Sequence, residues 1–408
     1  MTTTTDYDLD DPRFVADPYS VYDEIRSECP IAHTDRHGGS WLPTTYRAVY
    51  DLAHDVEAFN SSDILVFPRT GIPGGVPYSD VAAPPISSDP PVHKWARKLI
   101  LPFFAPGAVD KYEAGTRDLC HRLIDGFVDR GRVDVGTDYA QQIPVRVIAL
   151  LLGVDDGRAD EFVGWVRDIL ELGHLDPQRR LAARIELLNF FSEQIADRRA
   201  HPRSDDLITS LVEATVDDEP VPDAHILGTC NLMLIAGIDT TWSAIGSCLW
   251  HFARHPEHRD RLRAEPELWP TAVEELLRAY APVTMARIVT HDTEFDGCPM
   301  QAGDRVLMAF PAANRDPAVF DRADEVVLDR AVNRHLAFGS GIHRCAGSNL
   351  ARLELRVALQ AFLGRIADFE LIDPDAVTWA GGQVHGPRVC EVRFDPPLND
   401  LSRAAARA

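Results

Sequence analysis

Apolar residues recur at helical spacing through most of the chain, and the breaks in that rhythm mark its elements. The spacing predicts helices over Pro18 to Cys29, from Thr45 as N-cap through His54, and over Val109 to Arg130, Pro144 to Leu152, Arg158 to Leu172 and Gln178 to Arg199. Gly131, Gly153 and Gly173 act as stops. A long helix from Asp223 to His255 is hydrophobic on nearly every side between Ile226 and Trp250, which places it in the core, and another runs from Trp269 to Tyr280. Alternating patterns predict strands at Ser40 to Leu42, Val283 to Val289, Val306 to Phe310 and, in the tail, Phe369 to Phe394, with a hairpin over Glu294 to Asp304. The stretch Asn60 to Pro85, with Gly71, Gly74 and Gly75 among five prolines, has neither rhythm. Long loops in compact domains tend to be functional lids.

With 408 residues, 45% of them hydrophobic, and no break in composition, the chain is expected to form a single domain over 13–398 between flexible tails at 1–12 and 399–408. No run of about twenty apolar residues predicts a membrane span. Met1 to Asp6 lacks the basic and apolar regions of a signal peptide, so a cytoplasmic location is expected. A net charge of -22 disfavours nucleic acid and anionic membranes as partners. The seven cysteines are scattered without Cys-x-x-Cys spacing, which argues against a disulfide framework and a zinc site.

Four stretches interrupt the regular pattern with chemistry. Asp89-Pro90-Pro91 predicts a capped helix start, and His93 and Arg97 then share a face, which fits a solvated basic surface as well as an anion site. Ala236-Gly237-Ile238-Asp239-Thr240-Thr241 puts a glycine, an acid and two hydroxyls in mid-helix, where they cost stability, unless Gly237 is there for packing and Asp239 is a satisfied buried acid. Glu275 and Arg278 stand at helical i,i+3 spacing, which a plain surface pair would also produce. The fourth is Phe338-Gly-Ser-Gly-Ile-His-Arg-Cys-Ala-Gly347, a glycine-punctuated loop leading into a helix near Asn349. A cysteine at a helix start is held toward thiolate by backbone N–H groups, although a lone cysteine is more often a buried structural one.

The pattern Phe-x-x-Gly-x-x-x-Cys-x-Gly, met by Phe338, Gly341, Cys345 and Gly347 and flanked by His335-Leu336-Ala337 and Leu350-Ala351-Arg352, resembles the heme-binding loop of the cytochrome P450 family. The resemblance implies a mainly α fold with a smaller β-rich region, and heme b between the long central helix and the Cys345 loop. Cys345 would be the metal ligand, the axial thiolate of the heme iron. Phe338, Gly347 and Ala236 would contact the cofactor, and His93, Arg97, Arg287 and His343 would hold its propionates, although by pattern alone Arg287 fits an exposed edge strand.

By the same resemblance Asp239 and Thr240 form an acid–alcohol pair that delivers protons for O–O cleavage. Glu275, Arg278 and Arg330 form a buried charge network, although Ala323, Val326 and Val327 depart from the family's usual Pro, Phe and Asp before that arginine. Ile235, Val283, Thr284, Met285 and Val384 line the substrate pocket. The Asn60 to Pro85 loop, which includes Arg69, covers it, and a mobile turn at Leu172 to Pro177 joins its roof helices with His174 facing solvent.

The implied activity is insertion of one oxygen atom of O2 into a small, mostly apolar molecule, by hydroxylation or oxidative demethylation, in a monomeric enzyme. No flavin, nicotinamide or iron–sulfur fingerprint is present, so a ferredoxin with its own reductase is the expected electron donor, docking on a patch with Arg97, Arg344 and Arg352. Peroxide-driven chemistry and a non-catalytic heme-based binder or sensor are the alternatives, and the acid–alcohol pair speaks against both.

Overall fold

A computed structural model describes residues 6–68 and 83–396. The middle of the expected lid with Arg69, and the tail 399–408, lie outside them. Two short helices, α1 (Pro12–Ala16) and α2 (Pro18–Glu28), are capped by the carboxylates of Asp11 and Asp17 and start on prolines, whose fixed φ suits a first helical turn. Strands β1 (Ile31–Thr34) and β2 (Ser40–Pro43) follow, and the Thr45 hydroxyl then caps α3 (Tyr46–His54). Residues 6–11, expected in a flexible tail, instead pack: Tyr7 and Leu9 are buried, and the Tyr7 hydroxyl lies 2.6 Å from Ser40 Oγ.

After β3 (Phe59–Asn60), α4 spans Val92–Ile100. Asp89 does not cap it, because Pro90 and Pro91 push the first helical residue to Val92; its carboxylate instead accepts the Ser61 N–H at 3.0 Å. The helix expected over Val109 to Arg130 is interrupted: α5 (Pro106–Val109) passes through a 3-10 turn into α6 (Glu113–Asp125). Beyond β4 (Arg132–Asp134), α7 (Gln142–Leu152) ends on Gly153, whose φ of 75° is the left-handed conformation that stops a helix. Helices α8 (Ala159–Leu170) and α9 (Pro177–Ala200), the pair expected as the roof, pack against each other, and α10 (Leu207–Glu213) and a small hairpin, β5 (Thr215–Val216) with β6 (Glu219–Pro220), lead to α11 (Asp223–Arg254).

Helix α11 is the axis of the molecule. It touches α7, α8, α9, the helix over 348–365 and the C-terminal strands at 370–371 and 386–389. It alone among the described helices has the length and apolarity of a membrane span, but 78% of its most apolar window is buried inside the protein. Gly237 permits a close approach to α7: an added Cβ would lie 2.8 Å from the Ile148 side chain. The helix therefore runs unbroken through 236–241, and the glycine there serves packing.

Helices α12 (Pro256–Ala264) and α13 (Trp269–Ala279) precede β7 (Thr284–Val289) and β10 (Arg305–Ala309) of the main sheet, between which β8 (Thr293–Phe295) and β9 (Cys298–Met300) form a hairpin of their own. The sheet order is β1-β2-β10-β7-β3, with only β2 and β10 parallel, so β7 is interior rather than an edge. After α14 (Phe310–Ala313) and a long coil, α15 (Ser348–Arg365) packs on α6 and α11. Strands β11 (Glu370–Leu371), β12 (Thr378–Ala380), β13 (Gly386–Val389) and β14 (Glu391–Arg393) complete the chain.

Candidate active site

A cavity of about 290 Å³ lies between α11 and the loop before α15. Its walls include Cys345, Phe338 and Gly347 on one side and Ile235, Ala236 and Thr240 on the other. The loop is fixed by backbone geometry. Gly341 has φ 67°, and a Cβ there would meet the Ala53 carbonyl oxygen of α3 at 2.2 Å, so only glycine fits. Cys345 N–H donates to Phe338 C=O at 2.8 Å, which aims the thiol inward. Its exposure is to the cavity, since protein surrounds it elsewhere. Burial pushes the thiol up, opposed by the Gly347 N–H and by Arg97, Arg344 and Arg352. A cation at the sulfur is what would convert it to thiolate.

Four basic side chains gather at one rim. Arg97 and His93 project from α4 and Arg287 from β7, and His343 lies two residues before the thiol. Arg287 is 4% exposed, and its guanidinium donates to the Ala286 carbonyl at 2.8 Å. Burial lowers it to about 10. His343 Nε2 sits 2.9 Å from Ser61 Oγ, and burial, then the charges of Arg287, His93 and Arg97, hold it near about 2. His93 packs against it at 4.4 Å between ring centroids, with Nε2 buried and unpartnered. Among the described residues no carboxylate forms an ion pair with Arg97 or Arg287. Buried cations without counter-ions are expensive, so this rim is built for a ligand's acidic groups.

Across the cavity, Thr240 Oγ donates to the Ala236 carbonyl at 2.9 Å, one turn back on α11. Asp239 faces away from the cavity, 3% exposed. Arg388 of β13 binds it at 2.7 Å and also reaches Glu171, just past α8, at 2.9 Å and Ser243 Oγ at 3.0 Å. The guanidinium lies over the Trp242 ring. Burial raises the Asp239 carboxyl, against the pull of Arg388. Arg388 gave no signal in the sequence, being one arginine on a tail strand.

Val283, Met285 and Val384 line the cavity, and Val283 pairs with Val384 across an isolated bridge. Thr284 does not: successive residues of a strand face opposite sides, so with Met285 and Arg287 inward Thr284 turns toward Tyr22. His174 is not solvent-facing either. Its Nε2 lies 3.1 Å from Asp10 and its ring stacks on Phe67 at 4.4 Å. His385 is half-buried, stacked on Trp379, and bonds the Val15 carbonyl oxygen, a packing role.

Glu354 of α15 was not singled out by its pattern, yet it lines the cavity, with Oε2 buried and unpartnered. Burial raises it from 4.5 to about 8. The folded protein therefore holds a proton that the unfolded chain releases near pH 4.5, and stability falls as pH rises toward 8. Glu354→Gln is expected to flatten that fall and, in thermal melts from acid to pH 8, to gain on the order of a few kcal/mol at the alkaline end. Parallel profiles for both proteins would contradict this.

Beneath the site, Glu275 of α13 is fully buried. It accepts from Arg278 at 2.8 and 2.9 Å, from Arg330 at 2.8 Å and from the Val327 N–H at 2.7 Å. Of the expected docking arginines, Arg344 is exposed, Arg352 is tied to Glu274 at 2.6 and 2.8 Å, and Arg97 turns into the cavity while bonding the Arg344 carbonyl.

A thiol on one wall, small residues on the facing helix and a basic rim whose two arginines have no ion-pair partner among the described residues define a pocket suited to an acidic cofactor. The chain belongs to the cytochrome P450 family, whose model matches residues 172–374. It is 35% identical to a steroid C26-monooxygenase of Mycobacterium tuberculosis, over 92% of this chain and 94% of that one. It is 34% identical to the 6-deoxyerythronolide B hydroxylase of Saccharopolyspora erythraea, over 92% and 95%. The fold matches the solved structure of CYP109Q5 from Chondromyces apiculatus with a TM-score of 0.84 at 30% identity, over 96% and 99%. The protein is accordingly a monooxygenase, an oxidoreductase that incorporates one atom of O2, and heme b is its cofactor.

Proposed function

We infer that the enzyme oxidises a small, mostly apolar organic molecule by hydroxylation or oxidative demethylation, with electrons from a ferredoxin and its reductase. The observation that carries the substrate class is the distal wall, where, among the described residues, Ile64, Leu65, Leu232, Ile235, Val283, Met285 and Val384 leave only Thr240, Thr241 and Gln383 to supply polar contacts. Heme, when bound, supplies the oxygen chemistry, with Cys345 as its ligand. Arg97, Arg287, His93 and His343 would hold its two carboxylates at the rim, which gives His93 Nε2 the partner it lacks. Phe338, Gly347 and Ala236 would bound its faces. Thr240 would hold the water that donates protons, and Asp239 would feed it. The monooxygenase and hydroxylase relatives support this reading. The enzyme is read as a cytoplasmic monomer.

Two measurements test it. Compounds that fit the cavity are expected to shift the heme band of the ferric protein and to be oxidised with NADH, ferredoxin and reductase. Intact thiolate ligation without turnover over a broad panel would favour a binder. Thr240→Ala is expected to uncouple NADH consumption from product and release peroxide, and unchanged coupling would remove the role given to Thr240.

A further inference from the structure

The corner between α11 and α12 carries three imidazoles and a carboxylate that the oxidation does not use. The rings of His251, His255 and His258 stack on one another, with centroids 4.4, 5.1 and 5.5 Å apart. Helical spacing puts His251 and His255 on one face, and Pro256, opening α12, turns the chain so that His258 comes back beside them. His251 is 1% exposed and both its nitrogens are engaged: Nδ1 with the Tyr280 hydroxyl and Nε2 with His258 Nδ1, each at 2.8 Å. His255 Nδ1 lies 3.0 Å from Glu257 Oε1. His255, Glu257 and His258 each offer a ligand atom such that all three lie within 4.8 Å of one another.

We propose that His255, Glu257 and His258 form a binding site for a borderline divalent cation of the zinc(II) class. Two imidazoles and one carboxylate, with remaining positions open to water, are the donors such ions take. The buried ring of His251, held by Tyr280, braces His258 as outer-shell partners brace metal-bound histidines. Neighbouring cations are already occupied: Arg254 lies over the Trp250 ring, and Arg261 is paired with Asp329 and Glu265. The other grouping of this kind among the described residues, Asp8, Asp10 and His37, has the Arg36 guanidinium on Asp8 at 3.1 Å, which opposes a cation. The corner is about 22 Å along the helix from Thr240, at 1.5 Å per residue, so the ion would brace the α11–α12 corner and stay clear of the oxygen chemistry.

Ferric holoenzyme stripped with a chelator and titrated calorimetrically with zinc chloride is expected to bind one zinc per chain. His255→Ala and His258→Ala are each expected to weaken binding by about tenfold or more, with the heme spectrum unchanged as the control for folding. His37→Asn is expected to leave zinc affinity unaltered. Equal zinc uptake by the wild type and the His255→Ala/His258→Ala double variant, uptake lost only in His37→Asn, or no uptake by the wild type would each overturn the site.

Discussion

Cys345→His is expected to yield a folded protein whose reduced carbon monoxide complex lacks the red-shifted absorption of thiolate-bound heme and whose monooxygenase turnover falls below detection. Cys345 is the only cysteine among the described residues that lines the cavity; Cys120, Cys230, Cys248 and Cys390 are buried elsewhere, and Cys29 and Cys298 lie near the main sheet. No second thiol can replace it. Imidazole binds iron but is a neutral donor, without the electron push by which a thiolate favours O–O cleavage. The loop itself is held by Gly341 against α3 and by the Cys345 N–H to Phe338 bond, neither of which involves the side chain. Loss of the signature with the fold retained therefore reports on ligation. An unaltered spectrum would place the ligand elsewhere.

Glu275→Ala is expected to lower stability by about 3–5 kcal/mol, the usual cost of removing one partner from a buried ion pair, read by denaturant unfolding of the holoenzyme. Glu275 and Arg278 are both fully buried, so no water can replace the lost carboxylate. Arg278 would keep its bonds to the Asn314, Ala323 and Glu325 carbonyls but lose its counter-ion, as would Arg330, and the Val327 N–H would lose its acceptor. Glu274→Ala is the control: its pairs with Arg352 and His335 are partly exposed, so its effect is expected to be much smaller. Equal losses would mean that burial is not what makes Glu275 matter.

What could be read from the chain alone was whatever local backbone geometry or short periodicity enforces. The Cys345 loop was legible because Gly341 admits no other residue and the spacing to the thiol follows from that turn. Helix α11 was legible because burial on all sides leaves an apolar run with few polar interruptions. Thr284 was misplaced although the rule that turns it outward is simple, because the strand's cavity face is set by Arg287. Asp89 looked like a cap, and its bond to Ser61 depends on a chain reversal that no local pattern encodes. His174 has its partner 164 residues away and Arg388 finds Asp239 at a separation of 149, so nothing nearby could have pointed to either. Glu354 did leave a trace, an acid among the apolar positions Leu350, Leu353, Leu355 and Val357 on the buried side of α15.

Arg388 has one further implication. It divides its charge between Asp239 in the interior and Glu171 at the end of the roof helix, and the negative charge of Glu171 raises the proton affinity of Asp239. Were the roof to lift, Asp239 would have the whole guanidinium to itself and would give up its proton more readily. By thermodynamic reciprocity, a protonated Asp239 and a lowered roof favour each other to the same degree.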